Sequence, residues 1–193
     1  HMDRASELTA DKFPDASEKN RSEYTHAVAH AMETDDFIGD LVQKLEYSGL
    51  SENTVLVLFT DHYSKYMTDH EFTQTVKGIS TSTLMSICPF MIYSEDMPPA
   101  EITKLCSSVD ILPTVANLFG LDAPYRYYAG HDIFGSGEGY AVLPNGCWLS
   151  EDMFYNPANT ELKDRDSVDL NIEIRSTVEM SQNAVRCDYF VIK

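Results

Sequence analysis

Positive charge is scarce in this sequence. Its 193 residues include 14 lysines and arginines against 31 aspartates and glutamates, which gives a net charge of −17. A surface this acidic repels phosphate backbones, so the composition argues against DNA or RNA as a partner. The same charge suits divalent cations, although a total charge does not identify a site for them.

Long apolar runs and cysteine motifs are missing as well. No stretch approaches the roughly 20 apolar residues of a membrane-spanning helix, and no signal peptide is visible, so we expect this chain itself to be soluble. The four cysteines have neither C-x-x-C nor zinc-finger spacing and indicate no metal or redox motif; they are Cys88, Cys106, Cys147 and Cys187.

The composition indicates one globular domain or a large piece of one. Hydrophobic residues make up 43% of the chain, which is enough for a core. His1-Met2 has the form of an expression-vector remnant, so we expect residues 1–21 to be this remnant with a flexible lead-in. Residues 22–193 would then be the folded part, and the native protein would extend upstream.

The most informative stretch runs from Thr54 to His62 and reads TVLVLFTDH. Its unbroken apolar run is typical of a strand that is buried on both faces of a parallel sheet. Asp61 and His62 follow at the end of the strand, where α/β proteins collect their chemistry. Carboxylate and imidazole together are natural ligands for a divalent metal. The structural alternative is that Asp61 caps a helix or turn and His62 lies on the surface.

Four further histidines have a structural interpretation that we favour over metal binding. His26 and His30 are one turn apart on a predicted helix, but no third ligand is near them in the sequence. His70 is expected at the surface, although it could also reach the site of His62. His131-Asp132 is a second His-Asp pair, and the family resemblance described below implies that it lies in a structural turn.

Hydrophobic spacing and turn residues predict helix, strand, strand and helix, then a hairpin and a last helix. The predicted helices cover about residues 22–48, a short segment that ends near Gly78, residues 108–120 and residues 167–193. The second strand is expected at residues 89–93, and Asn145-Gly146 predicts the hairpin, which Trp148 anchors. Residues 3–20 have no pattern and are expected to form a loop or tail. The predicted fold class is α/β.

Several segments, taken in order, form a recognisable set. They read GLSENTVLVLFTDHY, CPFMIYS, SSVDILPTVANLFGL followed by YYAGHDIF, and YAVLPNGCWLS. Together they resemble the C-terminal part of the sulfatase-like domain of lipoteichoic acid synthases and related phosphoglycerol transferases, in the alkaline phosphatase superfamily. The resemblance covers about residues 24–155. It implies part of an alkaline-phosphatase-like sandwich of helices on a mainly parallel sheet, with a C-terminal β-hairpin and helix.

This resemblance also implies a chemistry. Asp61 and His62 would bind a divalent metal, usually manganese, in a metal-dependent phosphoglycerol transferase or sulfatase-like hydrolase. The family's other ligands are an acidic residue and the threonine nucleophile, and no residue of this chain matches them. The chain would then be the C-terminal half of a catalytic domain, inactive alone, with the nucleophile upstream. The parent would be a bacterial membrane protein whose extracellular catalytic domain acts on lipid-linked or ester substrates, either phosphodiesters or sulfate esters.

Two residues depart from the family pattern Gly-Asp-His-Tyr-Gly. Thr60 precedes Asp61, and Ser64 follows Tyr63. A side chain at either place narrows the room beside the metal. The alternative function is therefore a catalytically inactive sulfatase-like module for binding or assembly, and a third is an arylsulfatase-type hydrolase with a modified cysteine or serine nucleophile.

Partners follow from the half-domain interpretation. Cutting an α/β sheet leaves a strand edge with unpaired backbone groups. We expect the upstream half of the same domain to pair with that edge, and the isolated chain to form homo-oligomers through it.

Overall fold

The computed structural model describes residues 1–63, 67–79, 82–189 and 191. The chain divides into two units, His1–Pro99 and Ala100–Lys193. Helices alternate with short antiparallel sheets, which confirms the predicted α/β class. Within the described ranges, no helix has the length and apolar character that crossing a membrane requires.

The first unit begins with a helical pair, α1 (Met2–Lys12) and α2 (Glu18–Tyr47). The Ser17 side chain caps α2 by accepting a hydrogen bond of 3.2 Å from Asn20 N. The predicted helix over residues 22–48 is thus confirmed, and it begins four residues earlier than expected.

Helix α1 occupies much of the segment that we predicted to be a loop or tail, so that prediction is wrong. Ala5 and Thr9 of α1 are buried against α2, where Ala29 and Thr25 are also buried. Thr25 Oγ1 donates a hydrogen bond of 3.1 Å to Thr9 Oγ1. Small side chains let the two helices approach closely, but they produce no strong hydrophobic periodicity. This is why the sequence pattern did not predict the helix.

The rest of the first unit consists of two strands and a helix, namely β1 (Leu56–Phe59), α3 (His70–Lys77) and β2 (Phe90–Tyr93). The strands pair antiparallel, with Leu56 opposite Tyr93 and Phe59 opposite Phe90. The sequence pattern favours a mainly parallel sheet with β1 buried on both faces. In the structure, β1 is half-buried and its Phe59 is 57% exposed. An unbroken apolar run indicates burial but does not encode the direction of the neighbouring strand.

Helix α3 packs on the N-terminal part of α2 through an aromatic cluster. The Phe72 ring lies 5.2 Å from Phe13 and 6.4 Å from Tyr24, both edge-to-face. Gly78 ends the helix in the left-handed conformation with φ of 65°, which confirms the predicted end.

The second unit contains two helices and a three-stranded antiparallel sheet. The elements are α4 (Ile111–Leu118), β3 (Tyr140–Val142), β4 (Trp148–Ser150), β5 (Phe154–Tyr155) and α5 (Arg165–Arg186). The predicted hairpin is formed by β3 and β4, and both Asn145 and Gly146 in its turn have positive φ. Helix α5 ends at Arg186 rather than continuing to Lys193, and residues 190, 192 and 193 lie outside the described part.

Trp148 is the centre of the second unit's core. It is 1% exposed, its ring stacks on Tyr155 at 5.3 Å, and its Nε1 donates a hydrogen bond of 3.2 Å to Asn171 Oδ1 on α5. The predicted anchoring role of this single tryptophan is confirmed.

Candidate metal centre

The candidate metal ligands follow β1 in the first unit. The strand ends at Phe59, and Asp61 and His62 lie in the bend that comes next. Their side chains are 89% and 54% exposed, respectively, so both can reach an ion from solvent without a cost of burial. Placement at a strand end agrees with the sequence prediction, whereas their role as ligands stays a prediction.

The two side chains face each other. Asp61 Oδ1 lies 3.6 Å from His62 Nε2, and His62 Nδ1 lies 2.7 Å from the backbone oxygen of Tyr63. A carbonyl oxygen only accepts hydrogen bonds, so Nδ1 carries a proton and donates it to Tyr63 O. In the neutral imidazole, the lone pair is therefore on Nε2, on the side of Asp61.

This arrangement fits a metal. Metal-bound histidines usually donate their other ring N–H to a carbonyl or carboxylate, as His62 does to Tyr63. Two ligands that bind one ion at about 2.1 Å with a tetrahedral angle between them lie about 3.4 Å apart. The Asp61–His62 separation of 3.6 Å is close to that value. Two protein ligands make only half of a four-coordinate site, and no third His, Cys, Asp or Glu joins them among the described residues.

Of the two residues that depart from the family pattern, Thr60 is among the described residues and Ser64 is not. Thr60 is exposed and directly precedes Asp61 in the chain.

The chain beyond the candidate ligands is held to α2. Glu23 Oε2 accepts a hydrogen bond of 2.8 Å from Thr68 N, and Glu23 Oε1 accepts one of 2.9 Å from Thr68 Oγ1. These two hydrogen bonds lower the pKa of Glu23 below its usual value because they stabilise the ionised carboxylate. We call this contact the Glu23–Thr68 clamp.

Next to the clamp, Asp69 at the start of α3 is also hydrogen-bonded to α2. Asn20 Nδ2 donates to Asp69 Oδ2 at 2.9 Å, and Asp69 Oδ1 accepts from Phe72 N at 3.0 Å as the N-cap of α3. The contact with Asn20, followed by that with Phe72, lowers the pKa of Asp69. Sequence reasoning did not predict either contact, because their partners are 45 and 49 residues apart.

The other histidines of the first unit do not join the candidate site. His26 Nδ1 lies 2.7 Å from Ser22 O within its own helix, and His70 is exposed in the first turn of α3. No cluster of three potential ligands forms around these residues in the described ranges.

A buried carboxylate, Asp110, organises the second unit. Asp110 is 1% exposed. Its Oδ2 accepts hydrogen bonds from Ser107 N at 2.6 Å and Ser107 Oγ at 3.3 Å, and its Oδ1 accepts one from His131 N at 2.8 Å. The Ser107–Asp110 spacing of a capping box was the available signal. No sequence pattern indicated the contact with His131, which is 21 residues away.

The imidazole of His131 completes this cluster. Its Nδ1 lies 3.0 Å from Asp110 Oδ1, an ion-pair distance, and its ring lies 4.8 Å from that of Tyr140. Burial, with the nearby carboxylates of Glu173 and Asp110, raises the pKa of Tyr140 to about 12. Asp132 instead accepts from Phe134 N at 3.1 Å within a turn, so the turn expected for His131-Asp132 is present. The cluster joins the turn before α4 to the loop that carries His131.

Comparison with known proteins relates the chain to one family. A sequence model of the sulfatase family matches residues 1–121. The chain is 28% identical over 130 residues to the lipoteichoic acid synthase-like protein YvgJ of Bacillus subtilis, a match that covers 63% of this chain and 21% of YvgJ. It is 23% identical over 170 residues to lipoteichoic acid synthase of Staphylococcus aureus strain USA300, covering 81% of this chain and 26% of that protein. The chain thus spans about a quarter of the length of these relatives.

Proposed function

The chain belongs to the sulfatase family, and from this premise we propose that it is part of a metal-dependent phosphoglycerol transferase or sulfatase-like hydrolase. Its substrates are phosphodiesters or sulfate esters of the bacterial cell envelope, and its parent acts outside the cell at the membrane. The observation that carries this proposal is the Asp61-His62 pair at the end of β1, within the segment that the family model matches. The similarity to two lipoteichoic acid synthase relatives favours phosphoglycerol transfer.

In this function, Asp61 and His62 would hold one divalent cation, manganese by the family resemblance. The hydrogen bond from His62 Nδ1 to Tyr63 O keeps the imidazole in the tautomer that binds metal. A cation bound there lowers the pKa of a hydroxyl nucleophile and neutralises charge on phosphoryl or sulfuryl oxygens. The chain's own contribution is to supply these two ligands and fix their orientation.

The remaining machinery belongs to a part of the parent that this chain does not span. A threonine nucleophile and an acidic ligand complete the site in the resembling family, and no residue of this chain matches them. The isolated chain is therefore inactive and binds metal weakly, because two ligands cannot enclose an ion.

The open edge of the sheet in the first unit supports the proposal that another strand pairs with it in the parent. Strand β1 pairs only with β2 in the described part of the chain, and the apolar side chains of Phe59, Met91 and Tyr93 are 57%, 49% and 41% exposed. An uncharged strand with a free edge is a template for another strand. In the parent, that strand comes from the upstream half of the same domain.

A binding or assembly module without catalysis is the second candidate. The observation that favours it is the exposed Thr60, which stands beside Asp61 where the resembling family has glycine. A side chain there narrows the approach of substrate to the metal. Such a module would retain the fold and lose turnover.

An activity assay of the whole parent protein separates the two candidates. The parent is incubated with a phosphoglycerol lipid with and without Mn²⁺, and release of diacylglycerol is measured. We expect manganese-dependent release that falls at least about 100-fold in Asp61→Ala, because the variant loses a metal ligand. Asp122→Ala, which removes an exposed aspartate from the second unit, is the matched control and should keep full activity.

Two results would redirect the proposal. Turnover of a sulfate ester but not of the phosphoglycerol lipid would assign a sulfatase. A folded parent that turns over neither substrate would favour the binding module.

A further inference from the structure

Two tyrosines from distant parts of the second unit share a hydrogen bond. Tyr127 ends a short helical turn, Tyr125–Tyr127, and Tyr189 follows the C-terminal end of α5. Tyr127 Oη donates a hydrogen bond of 2.6 Å to Tyr189 Oη, and the ring centroids lie 4.6 Å apart with their planes tilted by 51°. The two residues are 62 positions apart in the chain, so the fold creates this contact.

Arg126 completes this tyrosine pair. Its Cζ atom lies 4.7 Å from the centroid of the Tyr127 ring, a cation–π distance, and its side chain is hydrogen-bonded to both hydroxyl groups. The hydrogen bond from Tyr127, followed by that from Arg126, lowers the pKa of Tyr189 below its usual value. The hydrogen bond to Tyr189 raises the pKa of Tyr127. Tyr189 is therefore the phenol that ionises first, and a phenolate gives up an electron more readily than a phenol.

Small reagents can reach the pair from solvent. Tyr189 is 54% exposed. A groove of about 450 Å³ runs beside the pair, and its walls include both tyrosines together with Met180, Asn183 and Cys187. An oxidant that diffuses into this groove therefore meets both phenol rings.

We infer that Tyr127 and Tyr189 form an oxidative cross-linking site, at which a one-electron oxidant, such as a haem peroxidase with its peroxide, joins the two rings as dityrosine. The inference concerns the second unit and does not depend on the metal chemistry proposed for Asp61 and His62. The cross-link fastens the chain beyond α5 to the turn that contains Arg126.

The reaction is a two-electron oxidation of the pair. The oxidant takes one electron from each phenol and each hydroxyl loses its proton, which leaves two phenoxyl radicals whose unpaired electrons extend to the ring carbons ortho to oxygen. An ortho carbon of Tyr127 then forms a carbon–carbon bond with one of Tyr189, and the hydrogens on those two carbons move to the phenol oxygens. The pair has lost two hydrogen atoms in total, and the peroxide takes up the two electrons and two protons as it is reduced to water.

The fold brings the reacting carbons near each other before any oxidation. Each ortho carbon is bonded to the carbon that carries the hydroxyl, and the two hydroxyl oxygens are 2.6 Å apart. Holding two reactants in contact replaces a bimolecular encounter with a step inside one molecule. Tyr189 lies beyond the last residue of α5, so its ring can move closer without unwinding the helix.

The experiment oxidises the folded 193-residue chain with a light-activated ruthenium complex and persulfate as the electron acceptor. The monomer is isolated, its dityrosine fluorescence is measured, and the linked peptides are identified by mass spectrometry. N-acetyltyrosine amide is oxidised in parallel to confirm that the oxidant is active. Tyr189→Phe keeps the ring and removes the hydroxyl. Tyr125→Phe makes the same change at an exposed tyrosine of the same turn and is the matched control.

A third variant guards against a competing reaction. Cys187 is an exposed thiol in the wall of the groove, and a thiol reduces phenoxyl radicals. Cys187→Ser removes it, so a missing cross-link in that variant is not a result of reduction by sulfur.

We expect the monomer to contain the Tyr127–Tyr189 link at a yield at least about 10-fold above that of the same chain oxidised in urea, where the fold no longer holds the rings together. Tyr189→Phe should lose the link, and Tyr125→Phe should retain it. The cross-linked monomer should unfold at least about 5 °C higher by circular dichroism, because closing a loop of this length restricts the unfolded chain.

Three results would overturn the inference. One is the absence of the Tyr127–Tyr189 peptide from both wild type and Cys187→Ser under conditions that couple N-acetyltyrosine amide. Another is an equal yield of the link in urea. The third is unchanged dityrosine fluorescence in the Tyr189→Phe monomer.

Discussion

Asp110 and His131 are joined by two contacts through one carboxylate oxygen. Asp110 Oδ1 accepts a hydrogen bond of 2.8 Å from His131 N and lies 3.0 Å from His131 Nδ1. With Ser107 bonded to the other oxygen, this buried carboxylate links the turn before α4 to the loop that precedes the sheet of the second unit.

Replacing Asp110 should therefore destabilise the second unit strongly. In Asp110→Asn, an NH₂ group takes the place of one acceptor oxygen, so a buried N–H donor of Ser107 or His131 loses its partner. We expect a loss of about 3 kcal/mol in the free energy of unfolding. Denaturant titration followed by Trp148 fluorescence measures it. Asp122→Asn, at an exposed position, should leave the midpoint within experimental error, and an unchanged midpoint for Asp110→Asn would contradict the network.

A close backbone approach gives a second prediction for the same loop. A Cβ atom added at Gly130 would lie 2.2 Å from Val109 O, whereas one added at Gly137 would meet nothing within 4 Å. Gly130→Ala should cost at least about 3 kcal/mol, because backbone must move to admit the methyl group. Gly137→Ala should be neutral or slightly stabilising. Equal thermal midpoints for the two variants would refute the packing at Gly130.

The Glu23–Thr68 clamp predicts how stability depends on acid pH. The hydrogen bonds from Thr68 lower the pKa of Glu23 in the folded protein below its ordinary value of 4.5. The unfolded chain therefore binds a proton first as pH falls, and the stabilisation that is present above pH 4.5 is lost as pH falls through the lower, folded value. Glu23→Gln should show a shallower loss of stability than wild type below about pH 4.5. The measurement is the urea midpoint between pH 6 and pH 3. A slope identical to wild type, with Glu33→Gln as reference, would count against the clamp.

The free edge of β1 predicts self-association of the isolated chain. Val57 lies at the centre of the strand, opposite Ile92, in a sheet that has two strands in the described part of the protein. A lysine in an uncharged edge strand disfavours pairing with another strand. We expect sedimentation equilibrium to detect dimers of the wild-type chain and Val57→Lys to shift them to monomers. Val185→Lys, on an exposed position of α5, should not. A wild-type chain that stays monomeric at high concentration would contradict the open edge.

Local patterns in the sequence were sufficient to predict most helices and the hairpin. Three features depend on residues that are close together in the chain: the apolar stripe of α2, the αL position at Gly78 and the turn at Asn145-Gly146. A local sequence pattern is therefore sufficient to predict each of them. Trp148 was predictable as an anchor because a large aromatic in a hairpin requires a partner surface.

Contacts between distant segments were not predictable. The α1–α2 pair depends on Ala5 and Thr9, which have little hydrophobic signal, and the antiparallel pairing of β1 depends on the path of the chain after His62. For the candidate site, the sequence predicted that Asp61 and His62 follow β1, but it contained no sign of the Glu23–Thr68 clamp. Hydrogen bonds across tens of residues depend on how helices pack, which a single sequence does not encode locally.

The most direct measurement is pulsed electron spin resonance of Mn²⁺ bound to the whole parent protein, which detects coupling to a histidine nitrogen. If His62 Nε2 is a ligand, the spectrum contains that coupling in wild type and in His70→Gln, where an exposed histidine is replaced, and it loses the coupling in His62→Gln. A nitrogen coupling that persists in His62→Gln, or bound manganese without any such coupling in wild type, would contradict the metal site proposed at the end of β1.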